Sequence, residues 1–143
     1  MNSSDSTLPS IQAADGYAGD ISPALAWQWV QAEEAVLVDV RTDAEREWVG
    51  FVPGAQPLAW KQWPGMAVNK DFDAGIQALG ADGRKLVLLC RSGVRSIAAA
   101  QRATDLGLMA YNILEGFEGN PDTQAHRGQT GGWKFRGLPW RQN

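Results

Sequence analysis

The segment KLVLLCRSGVRSIAAAQRATDLGL, residues 85–108, decides the fold prediction. Residues 85–90 form a short apolar run, which is typical of a strand buried on both faces. Residues 94–108 predict a helix, and their many small side chains favour close packing of that helix on a sheet. A strand that passes through a short loop into a helix is the building unit of parallel α/β sheets.

The sequence on both sides of this segment repeats the alternation of strand and helix. AVLVDV, residues 35–40, is a second buried strand, and the helix of residues 20–31 has Ser22 as its N-cap before Pro23. The other predicted elements are a strand at 55–59, a strand that begins at Met109, a helix at 42–49 with Thr42 as its cap, a helix at 71–83, and a short helix near Trp133. We therefore expect an α/β fold with a mostly parallel sheet of about five strands and helices on both faces.

Length and composition limit the classes of protein to which the chain can belong. With 143 residues we expect a flexible N-terminal lead-in at 1–16 and a single domain at 17–143. A net charge of −3 does not favour nucleic-acid binding, and no apolar run is long enough to cross a membrane. With only one cysteine and no visible secretory signal, we expect a cytoplasmic protein with a reduced thiol, no metal site and no cofactor.

The single cysteine, Cys90, occupies the position where α/β sheets place their functional sites, the carboxyl end of a strand. The following helix start offers free N–H groups that favour negative charge, and Arg91 and Arg95 add positive charge. Gly93 allows the backbone a positive φ, so that the loop can wrap around the sulfur. A lone cysteine at the end of an apolar run is usually structural, but this surrounding sequence favours a reactive thiolate.

Three motifs in this order and spacing resemble those of a single-domain rhodanese of the thiosulfate sulfurtransferase type. They are LVDVRTDAEREWVGFVPGA at 37–55, LLCRSGVRS at 88–96 and GGWKFRGLP at 131–139. The resemblance implies a rhodanese-like fold and transfer of a sulfane sulfur from thiosulfate or a persulfide donor to a thiol, cyanide or protein-thiol acceptor. It also implies that Cys90 is the nucleophile that carries the persulfide. The residues whose loop amides would cradle that persulfide and bind the donor are Arg91, Ser92, Gly93, Val94 and Arg95.

Two other functions fit the same motifs. A phosphatase or arsenate reductase of the same fold carries a longer loop, whereas only four residues separate Cys90 from Arg95 here. A loop shortened by one residue loses roughly 3.3–3.6 Å of contour and suits one sulfur atom better than a tetrahedral phosphate. The third possibility is an interaction module that delivers sulfur to one protein partner. In each sulfur-transfer case the acceptor comes from outside, because the chain has no second cysteine.

The charged residues of VDVR predict a structural ion pair. Asp39 and Arg41 stand where a buried strand ends, and Glu45, four residues after Arg41, is a candidate partner for that arginine. Arg95 is a candidate partner for Asp39 in addition to its expected role in binding the donor. We therefore expect mainly structural roles for Asp39 and Arg41.

Several further residues have two possible roles. Phe51 stands where many rhodanese sequences have a histidine, and His126, the only histidine, is predicted to lie on the surface. The tryptophans Trp60, Trp63 and Trp133 are expected mainly to pack, while the segment 60–66 is the best candidate for selecting the acceptor. The basic residues of the C-terminal part, expected to form a solvated surface, are Arg127, Lys134, Arg136 and Arg141.

Overall fold

A computed structural model of the chain describes residues 11–62 and 67–142. The helices are α1 (Pro23–Gln31), α2 (Asp43–Trp48), α3 (Phe72–Leu79) and α4 (Arg95–Asp105). The strands are β1 (Gly19–Ile21), β2 (Ala35–Asp39), β3 (Gln56–Pro57), β4 (Lys61–Gln62), β5 (Ala67–Val68), β6 (Lys85–Leu89) and β7 (Ala110–Ile113). No helix among these residues is long and apolar enough to span a bilayer.

Five strands form one parallel sheet in the order β1-β7-β6-β2-β3, so that β6 is central. Val38 of β2 lies beside Leu88 of β6, which in turn lies beside Asn112 of β7. The remaining two strands, β4 and β5, form a small antiparallel pair of their own. The predicted parallel α/β sheet of about five strands is confirmed.

Helices cover both faces of this sheet because alternate side chains of its strands point in opposite directions. Leu37 and Val87 face one core, in which α1 contributes Leu25 and Ala26. Val38 and the alternate residues of β6 face the other core, to which α3 and α4 contribute Phe72, Ile76, Ala99, Ala100 and Ala103. The small alanines let α4 lie directly against the sheet, and Cys90 belongs to this second core.

The predicted starts of α1 and α2 are confirmed at the level of individual caps. The Ser22 hydroxyl accepts the Leu25 N–H at 3.1 Å, and Pro23 occupies the first turn of α1. At α2 the Thr42 side chain accepts the Glu45 N–H, and the Glu45 carboxylate accepts the Thr42 N–H. These reciprocal bonds satisfy N–H groups that a helix start otherwise leaves open.

The structure differs from the sequence prediction at two places. The sequence does not predict β1: residues 20 and 21 fall in the segment 20–31 that predicts the first helix, ahead of the N-cap Ser22. The short helix predicted near Trp133 is wrong: residues 133–137 form a turn that follows Gly132 and ends at Gly137, both at positive φ. Conformations of that kind end a helix before it has enough turns to be stable.

The predicted N-terminal lead-in lies only partly within the described residues, since residues 1–10 fall outside them. In the described remainder, Gln12 makes an antiparallel bridge to Asp20, with N···O distances of 2.8 and 2.9 Å. The side chain of Gln101 on α4 also donates to the Asp15 carbonyl at 3.2 Å. Residues 12 and 15 are thus hydrogen-bonded to β1 and α4.

Candidate active site around Cys90

Cys90 follows the last residue of the central strand β6, and only 1% of its surface is exposed. Its sulfur accepts the Gly93 N–H at 3.1 Å and the Ser96 N–H at 3.4 Å. The Ser96 hydroxyl oxygen lies 3.2 Å from the same sulfur. Two backbone donors at the start of α4 therefore point at Sγ, an arrangement that stabilises negative charge on sulfur.

The loop after Cys90 depends on Gly93 for its shape. Gly93 has φ +93°, and a Cβ there would lie 3.2 Å from the Glu115 nitrogen and 3.3 Å from the Ile113 carbonyl oxygen. This position is therefore restricted both by backbone conformation and by the close approach of the chain after β7. The conformation in turn aims the Gly93 N–H at the cysteine sulfur.

A second segment, residues 116–119, supports the loop from behind, and sequence reasoning did not identify it. The Phe117 N–H donates to the Cys90 carbonyl at 2.7 Å, and the Glu118 N–H donates to the Arg91 carbonyl at 2.9 Å. Gly116 has φ +63°, and a Cβ there would come within 2.5 Å of the Cys90 carbonyl oxygen. In the sequence, Gly116 of EGFEGN was the available signal that two backbone segments approach each other closely here.

Arg95 begins α4 and forms a two-pronged ion pair with Glu45 of α2. The distances are 2.7 Å from Nη1 to Oε1 and 2.6 Å from Nη2 to Oε2. Burial opposes ionisation of Glu45, but the Arg95 and Thr42 hydrogen bonds outweigh burial and hold the pKa of Glu45 below its usual value. Hydrogen bonding to Glu45 raises the pKa of Arg95 against the effect of burial, and the charge of the Glu45 carboxylate adds to this.

Asp39 and Arg41 form a buried ion pair, as the predicted structural roles require, but the partners predicted for each of them are wrong. Arg41 binds Asp39 rather than Glu45, with 2.7 Å between Nη2 and Oδ2, and both side chains are fully buried. Arg41 also donates to the Gly50 carbonyl at 2.7 Å and stacks over the Phe117 ring. Arg95, in turn, pairs with Glu45 instead of Asp39, because α2 brings the Glu45 carboxylate to the first residue of α4.

The other residues of the predicted binding loop differ in their exposure. Arg91 and Val94 are exposed, Ser92 is half-buried, and Gly93 is buried against the chain that follows β7. The structure therefore brings the amides of Gly93 and Ser96 to the sulfur, with the Arg95 charge close enough to interact with Cys90. The described residues contain no cluster of three or more histidine, cysteine or acidic side chains that could hold a metal ion.

A chain of buried polar side chains behind Cys90 is the feature that sequence reasoning missed entirely. The fully buried Ser96 hydroxyl donates to Oδ1 of Asn112, whose amide nitrogen donates to Asp20 at 2.9 Å. The Tyr17 hydroxyl donates to the same Asp20 oxygen at 2.8 Å. Burial, with hydrogen bonding to Asp20, raises the pKa of Tyr17 to about 12. Asn112, polar within an otherwise apolar strand, was the available signal.

Among the other residues discussed in the sequence analysis, His126 lies on the surface and Trp133 packs in the core, as predicted. His126 is exposed in a loop, while Trp133 is buried and donates from its indole nitrogen to the Pro139 carbonyl at 2.7 Å. Trp60 packs edge-on against Phe72. Trp63, with the rest of 63–66, lies outside the described residues, so the proposed role in acceptor selection is untested there.

The basic C-terminal residues lie at the surface, as predicted, and several of them also make hydrogen bonds to the rest of the protein. Arg136 and Arg141 are exposed, whereas Arg127 and Lys134 are half-buried. Arg136 pairs with Glu115 at 3.0 Å, and Arg127 donates to the Gly119 carbonyl at 2.6 Å. Burial opposes ionisation of Glu115, but its bonds to Arg136 and to the Gly132 N–H lower its pKa. The backbone of Arg141 forms a bridge with that of Phe51, with N···O distances of 2.8 Å in both directions.

The chain is similar to known proteins over most of its length. The family model described as the rhodanese-like domain matches residues 22–119. The crystal structure of Rv0390 from M. tuberculosis is 42% identical, with a TM-score of 0.79 over 89% of this chain and 99% of that one.

Two curated relatives match over most of both chains. The Rickettsia conorii protein RC0915 is 36% identical over 117 residues, which cover 78% of this chain and 87% of the relative. The thiosulfate sulfurtransferase GlpE of Actinobacillus succinogenes is 32% identical over 124 residues, which cover 84% of this chain and 87% of the relative. With the parallel sheet and the cysteine loop, these matches show that the chain belongs to the rhodanese-like domain family.

Proposed function

We propose that this protein is a sulfurtransferase that carries a sulfane sulfur as a persulfide on Cys90. The observation that carries the proposal is the pair of hydrogen bonds that Cys90 Sγ accepts from the backbone N–H groups of Gly93 and Ser96. The sulfur lies at the carboxyl end of β6. These donors stabilise negative charge on the sulfur that attacks the donor and later leaves the persulfide. A relative named as a thiosulfate sulfurtransferase supports the same reaction class.

The reaction has two displacements at sulfur. The Cys90 thiol first loses its proton to solvent, and the thiolate attacks the outer sulfur of thiosulfate or of a persulfide donor. With thiosulfate, a sulfur–sulfur bond to Cys90 forms, the bond within thiosulfate breaks, and sulfite leaves with the electron pair. An acceptor thiolate or cyanide then attacks the outer sulfur, and Sγ leaves as a thiolate. This sequence consumes no external oxidant and requires neither a metal nor an organic cofactor.

The loop residues have distinct roles in this scheme. The backbone of Arg91, Ser92, Gly93, Val94 and Arg95 surrounds the outer sulfur, while the Arg95 charge favours approach of an anionic donor. Because only 1% of Cys90 is exposed, the scheme suits a small donor or an extended terminal sulfur rather than a bulky group. The acceptor is external, either a small thiol or a thiol of another protein, and the cytoplasm is the compartment in which such thiols stay reduced.

Phosphate or arsenate chemistry is less well supported. The loop between Cys90 and Arg95 has only four residues, which suits one sulfur atom better than a tetrahedral phosphate. The Arg95 guanidinium is paired with Glu45, at 2.7 and 2.6 Å, and its positive charge favours any anionic substrate, so this residue does not distinguish phosphate from thiosulfate. Delivery of sulfur to one protein partner remains compatible with the site and differs only in the acceptor.

The test is the intact mass of the purified protein after incubation with thiosulfate, beside Cys90→Ser. We expect wild type to gain one sulfur atom and to lose it again when cyanide is added, whereas Cys90→Ser gains none. Failure to gain sulfur from thiosulfate and from small persulfide donors would contradict the proposal. Hydrolysis of an aryl phosphate by wild type but not by Cys90→Ser would instead support the phosphatase alternative.

A further inference from the structure

The polar chain behind Cys90 connects three elements of the fold. It runs from the sulfur to Ser96 on α4, to Asn112 on β7 and to Asp20 on β1, the edge strand of the sheet. Ser96 is fully buried and Asn112 is 1% exposed, so water does not compete for the hydrogen bond between them, while Asp20 at the end of the chain is half-buried. A buried polar chain of this kind holds each member in one orientation, because an unmet donor or acceptor is costly there.

The Asp20 carboxylate determines which atom is the donor and which the acceptor in each hydrogen bond of this chain. The Asp20 carboxylate only accepts hydrogen bonds, so the amide nitrogen of Asn112 must be the atom that faces it, at 2.9 Å. The amide oxygen of Asn112 then faces Ser96 and can only accept. The single hydroxyl hydrogen of Ser96 is therefore directed to Asn112 and away from the cysteine.

This direction matters for Cys90 because the Ser96 oxygen lies 3.2 Å from Sγ. With its hydrogen bound to Asn112, that oxygen offers lone pairs to the sulfur. It accepts a hydrogen bond from the neutral thiol but gives none to the thiolate. An ionised Cys90 must compete with the Asn112 oxygen for the hydroxyl hydrogen.

Resting on the proposed function, we infer that Asp20 and Asn112 are positioning residues that tune Cys90 by aiming the Ser96 hydroxyl away from its sulfur. The chain favours the neutral thiol between turnovers and limits how strongly Ser96 stabilises Sγ when it leaves the persulfide. Tyr17 supports the arrangement, because its hydroxyl donates to Asp20 and stays protonated throughout the physiological range.

The acidic side chains on neighbouring elements are paired with arginines, and substitution of Asp20 leaves those ion pairs unchanged. Asp39 on β2 is bound to Arg41, Glu45 on α2 to Arg95 on α4, and Glu115 after β7 to Arg136. The exposed side chain of Arg91 lies on the loop itself. None of these groups is hydrogen-bonded to the Ser96–Asn112–Asp20 chain in the described residues.

The experiment compares Asp20→Ala with the matched variant Asp20→Asn, by the pH profile of alkylation of Cys90 with iodoacetamide. Cys90 is the only cysteine, so the reaction reports on this thiol alone. In Asp20→Ala the Asn112 amide is free to turn, its nitrogen then donates to Ser96, and the hydroxyl becomes available to the thiolate. We expect the midpoint of the profile to move about one pH unit lower. Asp20→Asn loses the charge but keeps an acceptor oxygen, and we expect a much smaller shift.

A double-mutant cycle separates aiming of the hydroxyl from a simple effect of the Asp20 charge. If Asp20 acts through the hydroxyl, Asp20→Ala has no effect in a Ser96→Ala background. A shift that persists there, equal shifts in Asp20→Ala and Asp20→Asn, or no shift would overturn the inference. Should Asp20→Ala not fold, Asn112→Leu removes the amide at similar volume and is expected to move the profile in the same direction. Alkylation needs no sulfur donor, so its outcome is independent of whether thiosulfate loads Cys90.

Discussion

The guanidinium of Arg95 and the carboxylate of Glu45, fifty residues apart, form a two-pronged ion pair beside the cysteine loop. Each side chain is 20% exposed, so the pair is partly shielded from solvent. It joins the first residue of α4 to α2, where Glu45 also caps the helix start. A single contact therefore holds the positive charge of Arg95 beside the cysteine loop.

Removal of this positive charge is expected to weaken use of an anionic donor. We predict that Arg95→Ala lowers kcat/KM for thiosulfate about tenfold, mainly by raising KM, because the charge near the sulfur is lost. Arg95→Lys, which keeps the charge but not the two-pronged bond, should retain more activity than Arg95→Ala. Steady-state kinetics with cyanide as acceptor measure the effect, and unchanged kinetics in Arg95→Ala would remove this residue from donor binding.

The same ion pair predicts a pH dependence of stability. The pKa of Glu45 is lower in the folded protein than its usual 4.5, so the carboxylate stabilises the fold at neutral pH. That contribution, about 1 kcal/mol, is complete above pH 4.5 and is lost as pH falls through the lower folded value. Urea unfolding of wild type and Glu45→Gln should therefore differ at pH 7 and converge in acid. A difference that stays constant with pH would show that the cap, rather than the charge, accounts for the role of Glu45.

Gly93 is expected to tolerate no side chain. Gly93→Ala adds a Cβ at φ +93° that lies 3.2 Å from the Glu115 nitrogen, so the loop must move. The N–H of residue 93 then no longer donates to Sγ in the same geometry. We predict a loss of about 1–3 kcal/mol in the free energy of unfolding and a large loss of persulfide formation. Gly83→Ala is the matched control, because φ there is +82° with no atom within 4 Å of the added Cβ. If Gly83→Ala lost as much unfolding free energy and persulfide formation as Gly93→Ala, the cause would be backbone strain rather than contact of the added Cβ.

The buried Asp39–Arg41 pair is expected to be a structural requirement. Arg41→Leu removes the buried guanidinium and leaves the Asp39 carboxylate with the backbone N–H of residue 41 at 3.1 Å and Arg46 at 3.5 Å. We predict a loss of about 3–5 kcal/mol in the free energy of unfolding. Asp39→Asn combined with Arg41→Leu removes both charges and should be more stable than Arg41→Leu alone. Urea denaturation measures both variants, and a loss below about 1 kcal/mol in Arg41→Leu would contradict the structural role.

Local features of the molecule were predictable because they depend on residues close together in the chain. The apolar runs of β2 and β6 and the caps at Ser22 and Thr42 are determined by short-range spacing and backbone hydrogen bonding. β1 was missed because it has only three residues and exists as a strand through its pairing with β7. No pattern of alternation is readable over so short a segment.

The sequence by itself determined the parallel α/β architecture, the position of Cys90 at a strand end and the family to which its loop belongs. Only the tertiary structure decided which charges pair and which polar groups meet behind the sulfur. Asp39 was the partner predicted for Arg95, but the folded chain places the Glu45 carboxylate of α2 beside Arg95 instead. Asn112 and Asp20 lie 92 residues apart, and they meet because parallel pairing places β1 beside β7. Such partners depend on strand order and register, which the spacing of residues along the chain does not encode.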